Sequence, residues 1–405
     1  MRERVLVTGI GIITPLRPFA GLDSFWNALC AGQDVITVKD APFLDLGRKW
    51  PMAAIERSAF PDEMRTEEKA GFLAEEALRR AMHDSGLDIK SSLNRNRAGI
   101  VVGTVLGNIL YKEVTMAENG FVLPDNEKKN RHRDGYNDSL SSLASGLADK
   151  YRLSGPVITV STACASGTDA LGIAAGKIRT GQADIMIAGG IDVLSSFALA
   201  GFHSLQALTH DRVRPFDRNR DGLALGEGAA FLILESDKHA RSRGSRVYAG
   251  LSGYASRADA NHLTGPHREG RGLSAAIRGA FLDAEMDFSE LDYINAHGTG
   301  TPYNDLMETR AIKNVFGDMA YRIPVSSTKS MLGHSFGAAG VIEAICCILA
   351  IRTGVIPPTI NFHERDAECD LDYTVNVAKE KKVGIAMSQS AGFGGQNSAV
   401  LFAQA

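Results

Sequence analysis

The sequence predicts an α/β protein made of two similar β/α halves, with mainly parallel sheets covered by helices. Three observations lead there. Short, apolar, β-branched runs such as residues 100–103 and 185–188 suit buried strands and are too short for helices. Amphipathic or small-residue stretches closed by glycine follow them, as helices would. The same strand-then-helix alternation resumes beyond residue 246, which indicates sheets with helices on their faces. A chain of 405 residues is long enough for such a pair of halves.

Taken in order, Val5-Leu6-Val7-Thr8-Gly9-Ile10-Gly11 reads as a first strand and a glycine turn, and it lacks the GxGxxG of a dinucleotide site. Residues 23–31 read as a short helix anchored by Trp26, and 33–64 as loop-rich. Thr66 is placed to cap a helix whose inward stripe is Phe72, Leu73, Ala77, Leu78 and Met82, ended by Gly86. The charged stretch 113–138 reads as a surface excursion, and 140–151 as helix. Residues 156–160 are expected to be a buried strand, 167–180 a small-residue helix, and 185–188 a strand ended by Gly189-Gly190. After a turn-rich loop at 214–222 comes a strand at 230–234. The polar run 241–246 is the expected boundary, giving halves of 1–246 and 247–405. In the second half, 273–285, 304–316 and 336–352 read as helices, and 293–296 and 324–327 as strands. Three closing strands are expected around Tyr373, Ile385 and Val400.

Composition removes several classes of function. Hydrophobic content of 44%, charged content of 22% and a formal net charge of −3 give no general attraction to nucleic acid or anionic membrane. Five cysteines, irregularly spaced and without a CxxC pair, suggest neither a disulfide framework nor a zinc site. The adjacent pair Cys346-Cys347 reads as core. No run is expected to span a membrane, and the apolar residues 5–14 lack a signal-peptide cleavage pattern. The expected address is the cytoplasm.

The chemistry centres on Val160-Ser-Thr-Ala-Cys164-Ala-Ser-Gly167, which puts Cys164 in a tight turn between a strand and the first turn of a helix. Free amides and the positive end of the helix dipole favour a thiolate there, as covalent acyl transfer requires. His297 in Asn-Ala-His-Gly-Thr-Gly-Thr and His334 in Leu-Gly-His-Ser-Phe-Gly occupy the same kind of place, the loop end of a strand. A metal held by one Cys and two His is the competing reading; it lacks a short-spaced ligand pair and an acidic third ligand.

These motifs, together with Gly392-Phe393-Gly394-Gly395, resemble the β-ketoacyl-acyl-carrier-protein synthases of the elongating type over nearly the whole chain. The resemblance implies a thiolase-like fold with a layered α-β-α-β-α core. It implies decarboxylative condensation of malonyl-carrier protein with an acyl chain held on Cys164, extending that chain by two carbons. By resemblance, His297 and His334 stabilise the enolate, and the amides of Cys164 and Phe393 form the second oxyanion site. Lys329 matches the family's lysine and Glu343 its ion-pair partner, with a purely orienting role for that pair left open. Thr299 and Thr301 match the hydroxyls that contact the pantetheine arm. Phe393 matches an aromatic gate whose loop moves on Gly392, Gly394 and Gly395. Leu106 and Ile109 are expected to set tunnel depth. No cofactor or metal is implied, since the substrates ride on the phosphopantetheine of acyl carrier protein.

Departures from the family's housekeeping members bear on the substrate. Gly300 stands where they usually carry Ser, Ala391 where Phe is common, Gln396 where Thr is, and the 209–214 loop is short. These features resemble ketosynthases of type II polyketide systems, so a polyketide or polyene chain is favoured over primary fatty-acid elongation. A non-catalytic chain-length-factor-like subunit would lack Cys164, and a degradative thiolase would carry a second cysteine near residues 392–397. The resemblance also implies a homodimer, or a heterodimer with a related ketosynthase or chain-length-factor subunit, joined near the Cys164 strand. Arg65 and Lys69 are the candidate contacts for an acidic carrier protein.

Overall fold

The computed structural model describes residues 3–42, 48–87, 95–118 and 139–405. Ten strands form one sheet, numbered here in chain order. They are β1 (Val5–Ile13), β2 (Ala98–Gly103), β3 (Val157–Val160), β4 (Ile185–Asp192), β5 (Gly228–Ser236), β6 (Ala249–Ala258), β7 (Tyr293–Asn295), β8 (Val325–Ser326), β9 (Ile385–Gly392) and β10 (Gln396–Ala403). Their spatial order, 8-7-9-10-6-1-5-4-2-3, is two copies of one five-strand pattern back to back. Each strand of the first half has its counterpart five numbers on. The pairing types match as well: β2 is parallel to β3 and β4, and β7 is parallel to β8 and β9. The halves meet where β1 pairs with β6 over Val5–Val7.

The duplication expected from the sequence is therefore real in the topology, but the sheets are mixed instead of mainly parallel. β5 runs antiparallel to β4 and β1, and β10 antiparallel to β9 and β6. The reason is local in the second half, where Gly394 and Gly395, at φ +84° and +79°, fold β9 directly back into β10.

Seven helices matter for the site: α1 (Lys69–Ser85), α2 (Ser142–Tyr151), α3 (Ser166–Arg179), α4 (Ser196–Ser204), α5 (Arg271–Ala284), α6 (Pro302–Phe316) and α7 (Ala339–Thr353). α1 and α2 cover the outer face of the first half through Leu73, Leu78 and Leu147. α5 and α6 cover the second half through Ile277, Phe281 and Ile312. α3 and α7 lie between the halves in the central core with Leu171, Ile345 and Ile348. Five layers result, the thiolase-like arrangement.

α7 corrects the expectation that no run suits a membrane. Phe336–Thr353 is 18 residues with mean hydropathy 1.8, long and apolar enough to span. It is 89% buried within the fold; a helix enclosed between the two halves of the sheet is apolar on every side because every side is core.

Other expectations are corrected by packing. β3 is not buried but is the sheet edge, with Val157 43% exposed. β4 runs through Gly189-Gly190 to Asp192, paired with β5 throughout; Gly189 is a packing glycine there, since a Cβ would lie 2.0 Å from the Phe231 ring. Residues 33–64 hold short strands at Thr37–Lys39 and Trp50–Ala53. Arg65, not Thr66, precedes the first helical turn, its N–H donating to Glu68. Glu113 belongs to the helix Ile109–Glu118 and accepts from the N–H of Phe197 at 2.7 Å. The rest of the expected excursion, 119–138, lies outside the described residues. Tyr373 makes a single bridge to Val325 and no strand.

Candidate active site

The elbow bearing Cys164 is strained by design of the local sequence. Ala163 has φ of +50°, a conformation that costs a non-glycine residue about 1 kcal/mol or more. Ser166 holds it: its hydroxyl accepts from Thr162 N–H at 2.9 Å and donates to Ala163 C=O. Gly103 and Gly167 let neighbouring backbone close in, since a Cβ at either would lie 2.5 Å from a backbone atom of Ser166 or Gly337. Cys164 is thereby presented two residues before α3, buried to 6% exposure.

Burial has a consequence opposite to the expected thiolate. It pushes the Cys164 thiol up to about 11, against the opposing pull of Lys329 and of a backbone N–H from Phe393. Desolvation of the anion outweighs the Lys329 charge and the Phe393 N–H. The resting group is a thiol, and its proton must go to a base when sulfur attacks.

Two imidazoles are at hand. The sulfur of Cys164 and ring nitrogens of His297 and His334 all lie within 4.8 Å of one another. Burial and the Lys329 charge hold both imidazoles well below their usual range, so both are neutral. His297 ends β7, and its backbone N–H and that of Gly298 donate to the two oxygens of Glu308 at 2.6 Å each. Lys329 Nζ lies 3.3 Å from His297 Nδ1 and forms a buried ion pair with Glu343. An ammonium only donates, so Nδ1 accepts and Nε2 carries the ring proton. His334 differs. Among the described residues neither of its ring nitrogens has a hydrogen-bond partner, and its ring meets His297 edge-on at 5.2 Å.

This donor set does not suit a metal ion. An ammonium sits against Nδ1 of one histidine, and among the described residues no carboxylate joins the cluster.

A cavity of about 420 Å³ opens over these groups, lined also by Thr299, Thr301, Phe202 and Phe393. The hydroxyls of Thr299 and Thr301 are 2.9 Å apart. The Phe393 ring lies 5.4 Å from that of Phe202. Gly394 is not among the residues lining the cavity; its N–H donates to Leu263 C=O at 2.8 Å. Leu106 does not reach this cavity; it packs in a separate cluster with Trp50, Leu199 and Phe336. Arg65 is half exposed and paired with Glu67 and Glu68. Lys69 turns inward, its side chain 17% exposed and bonded at 2.7 Å to the buried Glu227 carboxylate. It anchors the fold and is not a free surface charge.

The sequence reading passed over Glu308, Asp305 and Phe202. A signal for the first two existed: in a turn such as His297-Gly-Thr-Gly-Thr, several backbone amides need acceptors, and two acids stand three residues apart at the start of α6. Asp305 takes the N–H groups of Gly300 and Phe216.

Fold and site together define a thiolase-like acyl-transferring enzyme with a Cys-His-His centre. Residues 2–240 match the family described as beta-ketoacyl synthase, N-terminal domain, and residues 248–363 match beta-ketoacyl synthase, C-terminal domain. The chain belongs to the β-ketoacyl synthase family. It is 39% identical to the tetracenomycin polyketide synthase ketoacyl synthase alpha subunit of Streptomyces glaucescens, covering 99% of this chain and 97% of that one. It is 36% identical to 3-oxoacyl-[acyl-carrier-protein] synthase 2 of Coxiella burnetii, covering 100% and 99%. Among solved structures, a type II polyketide ketosynthase with its acyl-carrier protein superposes with TM-score 0.91 at 33% identity over the full length of both chains. The ishigamide ketosynthase/chain length factor gives 0.87 at 35%, again over both full lengths.

Proposed function

We propose that this ketosynthase extends a polyketide or polyene chain by two carbons per condensation, with Cys164, His297 and His334 as its catalytic residues. The observation that carries the reading is the convergence of one buried thiol and two neutral imidazoles at one cavity wall. His297, protonated on Nε2, is a donor only, whereas His334 keeps a free lone pair. His334 therefore takes the Cys164 proton as sulfur attacks the acyl thioester, and passes it to the departing carrier thiol. The backbone N–H groups of Cys164 and Phe393 receive the oxyanion.

Malonyl-carrier protein then enters. Its C–C bond to the carboxylate breaks, CO₂ leaves, and the electron pair becomes an enolate. Donors on His297 Nε2 and on His334, in its other tautomer, stabilise the enolate oxygen. The carbanion attacks the acyl-Cys164 carbonyl, and the tetrahedral intermediate expels the Cys164 thiolate, which takes up a proton from solvent to regenerate the resting thiol. Thr299 and Thr301 bind the pantetheine arm, and Phe393 closes the cavity, with Gly394 as part of its hinge. The polypeptide needs no metal or prosthetic group of its own, since both substrates arrive on phosphopantetheine.

Relatives support the partners. One solved neighbour is a ketosynthase bound to its acyl-carrier protein, and another is paired with a chain length factor. We place this enzyme in the cytoplasm with an acidic carrier protein near Arg65, and in a dimer through the β3 edge. The polyketide assignment rests on Ala391, which leaves the cavity wall small, and on Gly300, at φ +79°. The five-plus-five strand pattern supports reading the chain as halves of 1–246 and 247–405.

Intact-mass spectrometry with a panel of acyl-carrier proteins, followed by malonyl-carrier protein, tests the proposal. Acyl adducts lost in Cys164→Ala, with a two-carbon extension on adding malonyl donor, are expected. Condensation unchanged in Cys164→Ala would sink it.

A further inference from the structure

The His334 ring is held by packing alone. Both nitrogens are buried and unpartnered among the described residues, so no hydrogen bond sets its angle. Phe336 stacks against it at 5.8 Å with the planes 24° apart, and Phe202 meets it edge-on at 6.5 Å. Phe336 itself has φ of +50°, a conformation an aromatic residue keeps only when its surroundings impose it. Whatever imposes it also aims His334.

The next residue supplies the constraint. Gly337 N–H donates to Asp192 Oδ2 at 2.7 Å. Asp192 is fully buried at the end of β4. Its carboxylate accepts three more hydrogen bonds, all from the turn after β2: Thr104 Oγ1 to Oδ1 at 2.7 Å, Leu106 N–H to Oδ1 at 2.8 Å, and Val105 N–H to Oδ2 at 2.9 Å. Every partner is a donor, so only an ionised carboxylate satisfies all four. Nor can the contact slide. A Cβ on residue 337 would lie 2.8 Å from Asp192 Oδ2 and from Thr104 Cα.

We propose that Asp192 is a positioning residue for His334. It pins Gly337, which fixes the strained Phe336 backbone, whose ring sets the imidazole angle. Asp192 itself touches no substrate. The inference rests on the role proposed above for His334, which needs its nitrogen aimed at the sulfur and then at the enolate oxygen. Small misplacement of such a group costs rate steeply.

Asp192→Asn is the test, because its amide N–H₂ would face backbone donors. Condensation and Cys164 acylation are measured by intact mass in wild type, Asp192→Asn, His334→Ala, His297→Ala and the two double variants. Asp192→Asn is expected to slow both steps about tenfold or more, a typical cost of a misaimed catalytic group. In the His334→Ala background it adds less than about twofold, while in His297→Ala it keeps its full effect. Equal losses in both backgrounds, or no loss in the single variant, would overturn the proposal. If Asp192→Asn does not fold, Thr104→Val removes one donor and keeps the carboxylate. It must show a smaller loss that also vanishes in His334→Ala, and a loss that persists there overturns the idea. Wild type and Cys164→Ala in the same assay report on the catalytic reading separately.

Discussion

Lys329 Nζ stands 3.3 Å from His297 Nδ1 while its ion pair with Glu343 is buried on both sides. That one contact separates two histidines that the sequence presents as equals. His297 Nδ1 is engaged by that ammonium, which is why the thiol proton is assigned above, as a proposal, to His334.

Lys329→Met should therefore split the reaction. Acylation of Cys164 persists, because His334 is untouched, while decarboxylation falls about 10²-fold as His297 loses its tautomer. The variant also leaves Glu343 buried and unpaired, a loss of about 3 kcal/mol or more. Malonyl-carrier decarboxylation and intact mass, read on the same samples, check the split; parallel loss of both steps would contradict it.

The raised Cys164 thiol has a direct readout. With its value pushed up to about 11, alkylation of the free enzyme by iodoacetamide should keep rising about tenfold per pH unit beyond pH 9. A plateau near pH 7 would show a resting thiolate instead.

Glu308 carries a pH signature in stability. Burial first, and the Asp305 charge second, push its carboxyl up from 4.5 to about 7. The folded value exceeds the unfolded one, so this group's contribution is fully present below about pH 4.5 and is lost as pH rises through about 7. The size is on the order of 3 kcal/mol. Glu308→Gln lacks that titration, so its melting-temperature deficit against wild type should shrink between pH 5 and pH 8. It should also lose condensation activity, because one amide N–H₂ then faces the N–H of His297 or Gly298.

Arg65 and Lys69 should behave differently although both were matched to carrier-protein contacts. Arg65→Glu is expected to raise KM for the carrier substrate about three- to tenfold with kcat unchanged. Lys69→Met leaves Glu227 buried without its cation and should appear as a lower Tm. Steady-state kinetics and calorimetry distinguish the two.

The exposed edge at β3 gives a prediction about assembly. Val157→Pro, placed on that edge, removes a backbone donor and should shift the protein toward monomer in light scattering. An unchanged dimer would put the interface elsewhere.

Most strands and helices, the elbow at Cys164 and the strand-end places of both histidines were legible in the sequence, whereas the strand β6 and the helix α4 were not. Each is a local pattern: β-branched runs, glycine turns and a helix start reveal themselves without neighbours. The resemblance carried by the Cys, His and Gly-Phe-Gly-Gly motifs named the family. Tertiary structure decided what depends on surroundings. Val157 lies in a run with the composition of a buried strand and sits at the edge, since nothing in a run of five residues says how many strands lie beside it. Lys69 looks like a surface cation and is tied to Glu227, a partner 158 residues away. The raised Cys164 thiol, set by burial against the Lys329 charge, and the acceptors at Glu308 and Asp192 belong to that same level. Burial and long-range hydrogen bonding are properties of the assembled core, and a linear pattern contains neither.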